Sequence, residues 1–143
     1  MYADYSFYVE QFYGSKIDVA DFPRLSSRAS DFIDYYTRGR AQRASIGDLL
    51  ALGKACCALA EQMQTDEQMQ TLAAKTVNTA IASNNGEVKS ETVGSWSRSY
   101  ATASDYGSDG RASVVKDMQA AYAEIVKEYL STTGLLYRGG CRQ

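Results

Sequence analysis

The side chains that could carry chemistry in this chain are 17 carboxylates, three cysteines and 11 tyrosines, with no histidine. Without histidine, serine–histidine and cysteine–histidine catalysis are excluded, as are the common zinc sites. Asp31 and Asp34 share one predicted helix face, and so do Glu124 and Glu128, so either pair could serve in acid–base chemistry. Such pairs are commonplace on solvated helices, and nothing singles one out. We expect no enzyme, and a hydrolase that uses two carboxylates stays open as an alternative.

Cofactor and metal motifs are not recognisable in the sequence. The stretch YGSDGR, residues 106–111, lacks the lysine and the preceding strand of a phosphate-binding loop. The overlapping SDYGSDG lacks the ligand spacing of a calcium loop. Cys56 and Cys57 are neighbours on a predicted helix and point about 100° apart, which suits neither a metal nor a redox motif. We therefore expect no cofactor and no metal, with Cys56 in the core, Cys141 as a loose thiol and a reducing compartment.

Length and charge fit one globular domain of 143 residues with a modest core. No apolar run approaches the roughly 18 residues of a membrane span, and the acidic N-terminal stretch is unlike a secretory signal.

A net charge of -2 argues against a dedicated nucleic-acid binder. The local cluster of Arg38, Arg40 and Arg43 predicts a solvated turn or a secondary protein contact. In the alternative of a small helical DNA-binding or regulatory protein, the same cluster contacts phosphates.

Apolar spacing predicts a mainly α fold, a small bundle of four to five helices. Asp4 caps a short first helix that Gly14 ends, and the second helix begins at Asp21 and ends at Gly39 with Pro23 in its first turn. Ser45 caps the third helix, with Asp48 as the acidic member of a capping box. The last helix covers about residues 112–131. Residues 65–83 either extend the third helix or start a new one at Thr65 or Asp66.

Three apolar stripes are expected to form the core. They comprise Phe22, Leu25, Ala29, Phe32, Ile33 and Tyr36 on the second helix, Leu49, Leu52, Cys56, Leu59 and Met63 on the third, and Val114, Met118, Ala121, Tyr122, Ile125 and Tyr129 on the last. We expect a single helical domain over residues 1–143, with residues 87–110 as a projecting arm or loop. Residues 138–143 are expected to form a flexible tail.

One extended ribbon or hairpin, about residues 87–101, interrupts this helical pattern. Trp96, Arg98 and Tyr100 alternate with serines, which is the period of a strand. An isolated strand leaves its backbone groups unpaired, so the ribbon either folds back around Gly94 or pairs with another chain. Two interpretations of the large side chains stand. Either Trp96 fills its own core while Arg98 is solvated, or this face docks onto a neighbouring subunit or partner.

Three features in this order resemble the head–tail connector, or adaptor, proteins of tailed bacteriophages and prophages. They are the N-terminal region with DFPRLSSRASDFID at residues 21–34, the apolar stripe in LLALGKACCALAEQ at 49–62, and KSETVGSWSRSY at 89–100 before the final helix. The resemblance covers most of the chain, and residues 65–83 are its least typical part.

The resemblance implies a helical structural protein of the virion that assembles into a ring, commonly of about a dozen copies. Such a ring bridges the portal protein and the head-completion or stopper protein, and DNA passes through it only as cargo. It is located at the head–tail junction, and in the host bacterial cytoplasm during assembly, with no membrane partner. On this interpretation the contact with a neighbouring subunit or the portal involves Lys89, Glu91, Val93, Trp96, Arg98 and Tyr100.

Overall fold

The computed structural model describes residues 1–82, 90–93, 96–99 and 108–137, and within these ranges the protein is mainly α-helical. The described helices are α1 (Tyr5–Glu10), α2 (Phe22–Thr37), α3 (Leu49–Ala82) and α4 (Ser108–Leu130). Two short 3-10 helices, Arg40–Arg43 and Ile46–Asp48, connect α2 to α3, and strands β1 (Ser90–Val93) and β2 (Trp96–Ser99) precede α4. The predicted helical fold with a hairpin before the last helix is confirmed.

The chain divides into two compact units. The first comprises Met1–Asp66 with Ala120–Gln143, and the second comprises Glu67–Gln119. In the first unit, buried side chains from α1, α2, α3 and α4 form one hydrophobic cluster. In the second unit, described polar contacts include the hydroxyl of Thr71, which donates to the carbonyl of Glu67 at 2.8 Å. This back-bond keeps a polar side chain satisfied within the helix.

Asp4 starts α1 as predicted. Its carboxylate accepts a hydrogen bond from the backbone N–H of Phe7 at 2.8 Å and another from the hydroxyl of Ser6 at 2.9 Å. The bond from Phe7 is the main reason that the pKa of Asp4 lies below its ordinary value. The end of α1 differs from the prediction, because the helix stops at Glu10 and Gly14 lies beyond it.

Gly14 is required by packing and not as a helix stop. A Cβ atom at this position would lie 2.0 Å from Cε2 of the Tyr8 ring, so only glycine lets the backbone pass this close. The left-handed residue of this turn is instead Tyr13, with a φ of 58°.

Both ends of α2 agree with the sequence prediction. The helix begins directly after Asp21 with Pro23 in its first turn, although the side chain of Asp21 makes no capping bond. At its other end Arg38 and Gly39 adopt left-handed conformations with φ values of 54° and 74°. The N–H of Gly39 donates to the carbonyl of Asp34 at 2.8 Å, which closes the helix end.

α3 continues without a break through the segment whose assignment was open. Residues 65–82 extend the third helix, and no new helix begins at Thr65 or Asp66. The hydroxyl of Thr65 donates to the carbonyl of Glu61 at 2.9 Å, so this polar residue is satisfied without ending the helix. At the start of α3, the hydroxyl of Ser45 donates to the Asp48 carboxylate at 2.7 Å, but Ser45 makes no side-chain bond to a backbone N–H.

The apolar stripes are confirmed in part. The fully buried predicted residues are Phe22, Leu25, Ala29, Ile33, Leu52, Cys56 and Leu59. Leu49, the first residue of α3, was predicted to be buried but is 51% exposed, so the buried stripe of this helix begins at Leu52. Among the described side chains of α4, from residue 115 onward, the buried residues are Val126 and Leu130, one position further along than the predicted Ile125 and Tyr129. Tyr122 and Tyr129 are half-buried, and the Tyr122 hydroxyl donates to Oδ2 of Asp66 at 2.8 Å.

Small polar residues on α2 hold the N-terminal segment. The buried Ser26 hydroxyl donates to the carbonyl of Ala3 at 2.7 Å, and the N–H of Tyr2 donates to the hydroxyl of Ser30 at 3.1 Å. The Ser30 hydroxyl itself donates back to the carbonyl of Ser26 at 2.7 Å. Apolar spacing does not detect these contacts, because serine does not belong to the hydrophobic stripe.

The buried phenol of Tyr8 connects three segments of the first unit. Its oxygen accepts hydrogen bonds from the backbone N–H groups of Lys16 and Ile17, at 2.9 and 3.2 Å, and donates to Oε1 of Glu61 at 2.8 Å. The other carboxylate oxygen of Glu61 lies 2.9 Å from Nζ of Lys16. Burial, and next the bond to Glu61, raise the pKa of Tyr8 above its ordinary value. The connection between α1 and α2 is thus fixed against α3.

Replacing Gly14 with alanine should lower the free energy of unfolding by about 1–3 kcal/mol, because the added methyl group displaces the Tyr8 ring. Urea denaturation of the purified protein measures this change. Gly47→Ala is the matched control, since its added Cβ would meet only Ser45 Oγ, at 3.7 Å. Equal losses in the two variants would contradict the packing argument.

Tyr8→Phe should cost about 1–3 kcal/mol at neutral pH, because two backbone N–H groups and one carboxylate oxygen lose their partner. Since the folded-state pKa is raised, the phenol's contribution is complete below its ordinary pKa of 10.0 and is lost as the pH rises through the folded value. The stability difference between wild type and variant should therefore shrink above that pH in urea titrations. If the stability difference between wild type and Tyr8→Phe stays constant above pH 10.0, the stabilisation does not depend on the proton that the phenol donates to Glu61.

Candidate functional site: interaction surfaces

The register of the hairpin brings four of the predicted interface residues together. β1 and β2 are antiparallel, with Glu91 opposite Arg98 and Val93 opposite Trp96. Directly opposed residues share a face of a sheet, and so do alternate residues along each strand. These four residues therefore lie on one face, and the opposite face carries Ser90, Thr92, Ser97 and Ser99. Lys89 and Tyr100, the other two predicted interface residues, lie outside the described residues.

The backbone of the extended segment is paired within its own chain. The fold-back alternative is therefore correct, and the strands do not need another chain to pair their facing backbone groups. Among the described strands the sheet contains β1 and β2 alone, so each keeps one outer edge. A two-stranded sheet with four residues per strand is marginal by itself in water, which makes docking of one face favourable. Whether Trp96 fills its own core or docks onto a partner stays a prediction.

The three predicted basic residues have different roles. Arg38 and Arg43 are exposed, whereas Arg40 is half-buried and donates from Nη1 to the carbonyl of Tyr137 at 2.8 Å. Nε of Arg40 is buried and has no partner among the described residues. None of the three forms an ion pair within the described parts of the chain. Arg40 therefore fixes the residues after α4, and Arg38 and Arg43 present uncompensated charge to solvent.

Three exposed apolar side chains follow this cluster directly in the chain. Ile46 is 90% exposed, Leu49 is 51% exposed and Leu50 is 49% exposed. We call Arg38, Arg43, Ile46, Leu49 and Leu50 together the basic–apolar surface. Adjacent apolar side chains in contact with water are typical of protein interfaces. Sequence reasoning placed Leu49 in the core and did not use Ile46 or Leu50. The sequence feature that could have indicated this surface is Ile46, because an isoleucine in a helix-capping turn seldom belongs to the core.

One member of each predicted carboxylate pair is engaged with another side chain. The Asp34 carboxylate accepts hydrogen bonds from the Tyr2 hydroxyl and from Nε2 of Gln42, the latter at 3.0 Å. Burial, and next the bond to Asp34, raise the pKa of Tyr2. Asp31 is exposed on α2, and Oε1 of Glu124 pairs with Nζ of Lys127 at 2.6 Å. Asp34 is thus committed to holding the N-terminal segment and the turn after α2, which leaves no unengaged pair at residues 31 and 34.

The two cysteines on α3 are free and fully buried. The Cys56 thiol lies 3.4 Å from the carbonyl of Ser26, to which it donates, so its predicted core position is confirmed. Burial, with smaller contributions from Cys56, Glu61 and Asp4, raises the pKa of Cys57 to about 12. Both the burial and the pKa make this thiol a poor nucleophile. Cys141 lies outside the described residues.

Within the described ranges, no group of three or more acidic or cysteine side chains is placed to hold a metal ion. In the same ranges, no helix combines the length and the apolar character needed to cross a membrane. Comparison of the chain with protein-family models, with curated proteins and with solved structures gives no match.

Proposed function

We propose that this protein is a structural connector subunit of the head–tail junction of a tailed phage or prophage, and that it acts by binding other proteins. The observation that carries the proposal is the basic–apolar surface. Three large apolar side chains are exposed to water in the same stretch of the chain as two arginines that have no acidic partner among the described residues. The buried hydroxyl groups of Tyr8, Ser26 and Ser30, by contrast, are hydrogen-bonded inside the first unit. This division suits association between proteins.

The hairpin supplies a second contact. Its register places a tryptophan, a valine and a pair of opposite charges on one face, and serines with a threonine on the other. Tryptophan and arginine dominate the energetics of protein interfaces. In this proposal the Trp96 face contacts a neighbouring subunit or the portal. The resulting ring joins the portal to the head-completion or stopper protein, and DNA passes through as cargo.

A small DNA-binding or regulatory protein is the second candidate. It is favoured by the two exposed arginines of the basic–apolar surface, which could contact phosphates. This candidate predicts that a labelled DNA duplex of about 30 base pairs binds to the purified protein with a steep dependence on salt. Fluorescence anisotropy at low and high salt separates the two candidates, because a connector that carries DNA only as cargo should not bind the duplex in this salt-dependent way.

Trp96→Ala should weaken association by about 2 kcal/mol, or about thirty-fold in Kd, because truncating a buried aromatic anchor removes most of its contact area. Sedimentation velocity of the purified chain measures self-association. A pull-down with the portal protein encoded beside its gene measures portal binding.

Thr92→Ala is the matched control for Trp96→Ala, since the register places it on the opposite face of the same hairpin. It should leave association unchanged. Normal assembly and normal portal binding by the Trp96 variant would remove this face from the interface. A gene neighbourhood without portal, capsid and tail genes would contradict the connector function itself.

A further inference from the structure

The first unit carries a second exposed apolar surface, and its charge is opposite to that of the basic–apolar surface. Val9 is 43% exposed, Tyr13 is 84% exposed and Val19 is 62% exposed, on α1 and in the connection to α2. Glu10 and Asp18 lie among them in the chain and are also exposed. We call Val9, Glu10, Tyr13, Asp18 and Val19 the acidic–apolar surface. Both surfaces belong to the same compact unit.

The charges of this surface are available for a partner. Within the described residues, Glu10 and Asp18 form no ion pair. The other charged side chains of the connection are engaged, Lys16 with Glu61 at 2.9 Å and Asp21 with Arg24 at 3.8 Å. Two uncompensated carboxylates on one surface thus match two uncompensated guanidinium groups on the other.

The connection that carries these residues is held in place. The phenol of Tyr8 accepts from the N–H groups of Lys16 and Ile17, and the Ile17 side chain is only 2% exposed. Gly14 packs directly on the Tyr8 ring. The exposed side chains on either side of these anchors are therefore presented on a fixed backbone, which lowers the entropy lost on binding.

Each of the two surfaces contains one non-glycine residue with a left-handed backbone conformation. Among the described residues, Tyr13 and Arg38 are the non-glycine residues with a positive φ, at 58° and 54°. Both are exposed, and glycine or asparagine would adopt this conformation more easily. Folding by itself therefore does not favour tyrosine and arginine at these two positions.

We propose that the acidic–apolar surface of one copy binds the basic–apolar surface of the next. The occupant of each surface is thus a second copy of this chain, since each surface offers exposed apolar side chains and the charge that the other lacks. The two surfaces differ, so the contact is head-to-tail and successive copies form a closed ring or an open filament. The inference rests on the proposed connector function and names the surfaces through which its ring would assemble.

Charge reversal of either surface tests the contact. Glu10→Lys with Asp18→Lys, or Arg38→Glu with Arg43→Glu, should weaken self-association at least ten-fold in sedimentation velocity at low salt. Raising the salt concentration should weaken the wild type in the same direction, because the charges are exposed. Asp31→Lys with Glu128→Lys is the matched control. It makes the same change in net charge as Glu10→Lys with Asp18→Lys, at exposed positions outside both surfaces, and should leave association unchanged.

Mixing the two reversed variants gives the decisive result. One variant then carries two basic surfaces and the other carries two acidic surfaces, so a 1:1 mixture should recover association that neither variant shows alone. Tyr13→Gly adds a variant that keeps the fold, since glycine suits the left-handed backbone and the tyrosine side chain is exposed. It should weaken association while its thermal unfolding temperature stays the same or rises.

Three outcomes would overturn the inference. They are wild-type protein that stays monomeric at hundreds of micromolar in low salt, reversed variants that associate like wild type, and a mixture without recovery. If Trp96→Ala disrupts assembly while the charge reversals do not, the connector function stands and only this contact is wrong. Salt-dependent DNA binding by a persistent monomer would reject both.

Discussion

The first unit depends on one buried hydroxyl group. The oxygen of Tyr8 takes two backbone N–H groups from the connection between α1 and α2 and gives its proton to Glu61 on α3. An 11-residue connection (Gln11–Asp21) would otherwise have to bury polar backbone against an apolar core, where an unpartnered group costs about 1–3 kcal/mol. The phenol removes that cost for two groups at once. Gly14 is a consequence of the same arrangement, because the backbone must pass the face of the ring.

The polar residues of α2 extend this principle to the N-terminus. Ser26, Ser30 and Asp34 lie at intervals of four residues, so they follow one side of the helix. Each contacts the segment before α1, through a carbonyl, an N–H group and a phenol respectively. These three polar side chains are thus engaged inside the first unit, whereas the apolar side chains of the two surfaces that we define remain in water. That contrast, more than any single residue, supports a protein that works by contact.

Sequence patterns predicted those features that local chemistry decides. Asp4 as a cap, Pro23 in a first turn and the helix end near Gly39 each depend on a few neighbouring residues, and the structure agrees with all three. The alternation in residues 91–101 likewise predicted strands, and their register groups Trp96 with Arg98.

Features decided by tertiary packing were not predictable from the sequence. The role of Gly14 depends on a ring six residues earlier, and the burial of Val126 in place of Ile125 depends on how α4 is rotated against the core. Helical periodicity places Leu49 on the same face as Leu52, but it does not show whether the core reaches the first turn of α3, where Leu49 is exposed. The exposure of Val9 in the acidic–apolar surface likewise depends on how α1 packs against the core.

The two left-handed residues have a consequence for the stability of the isolated subunit. At roughly 1–2 kcal/mol each, a tyrosine at position 13 and an arginine at position 38 are a standing cost to the folded state that glycine at the same position would relieve. In the proposed contact, both side chains would offset this cost only when a second copy binds, so the isolated subunit would carry it uncompensated.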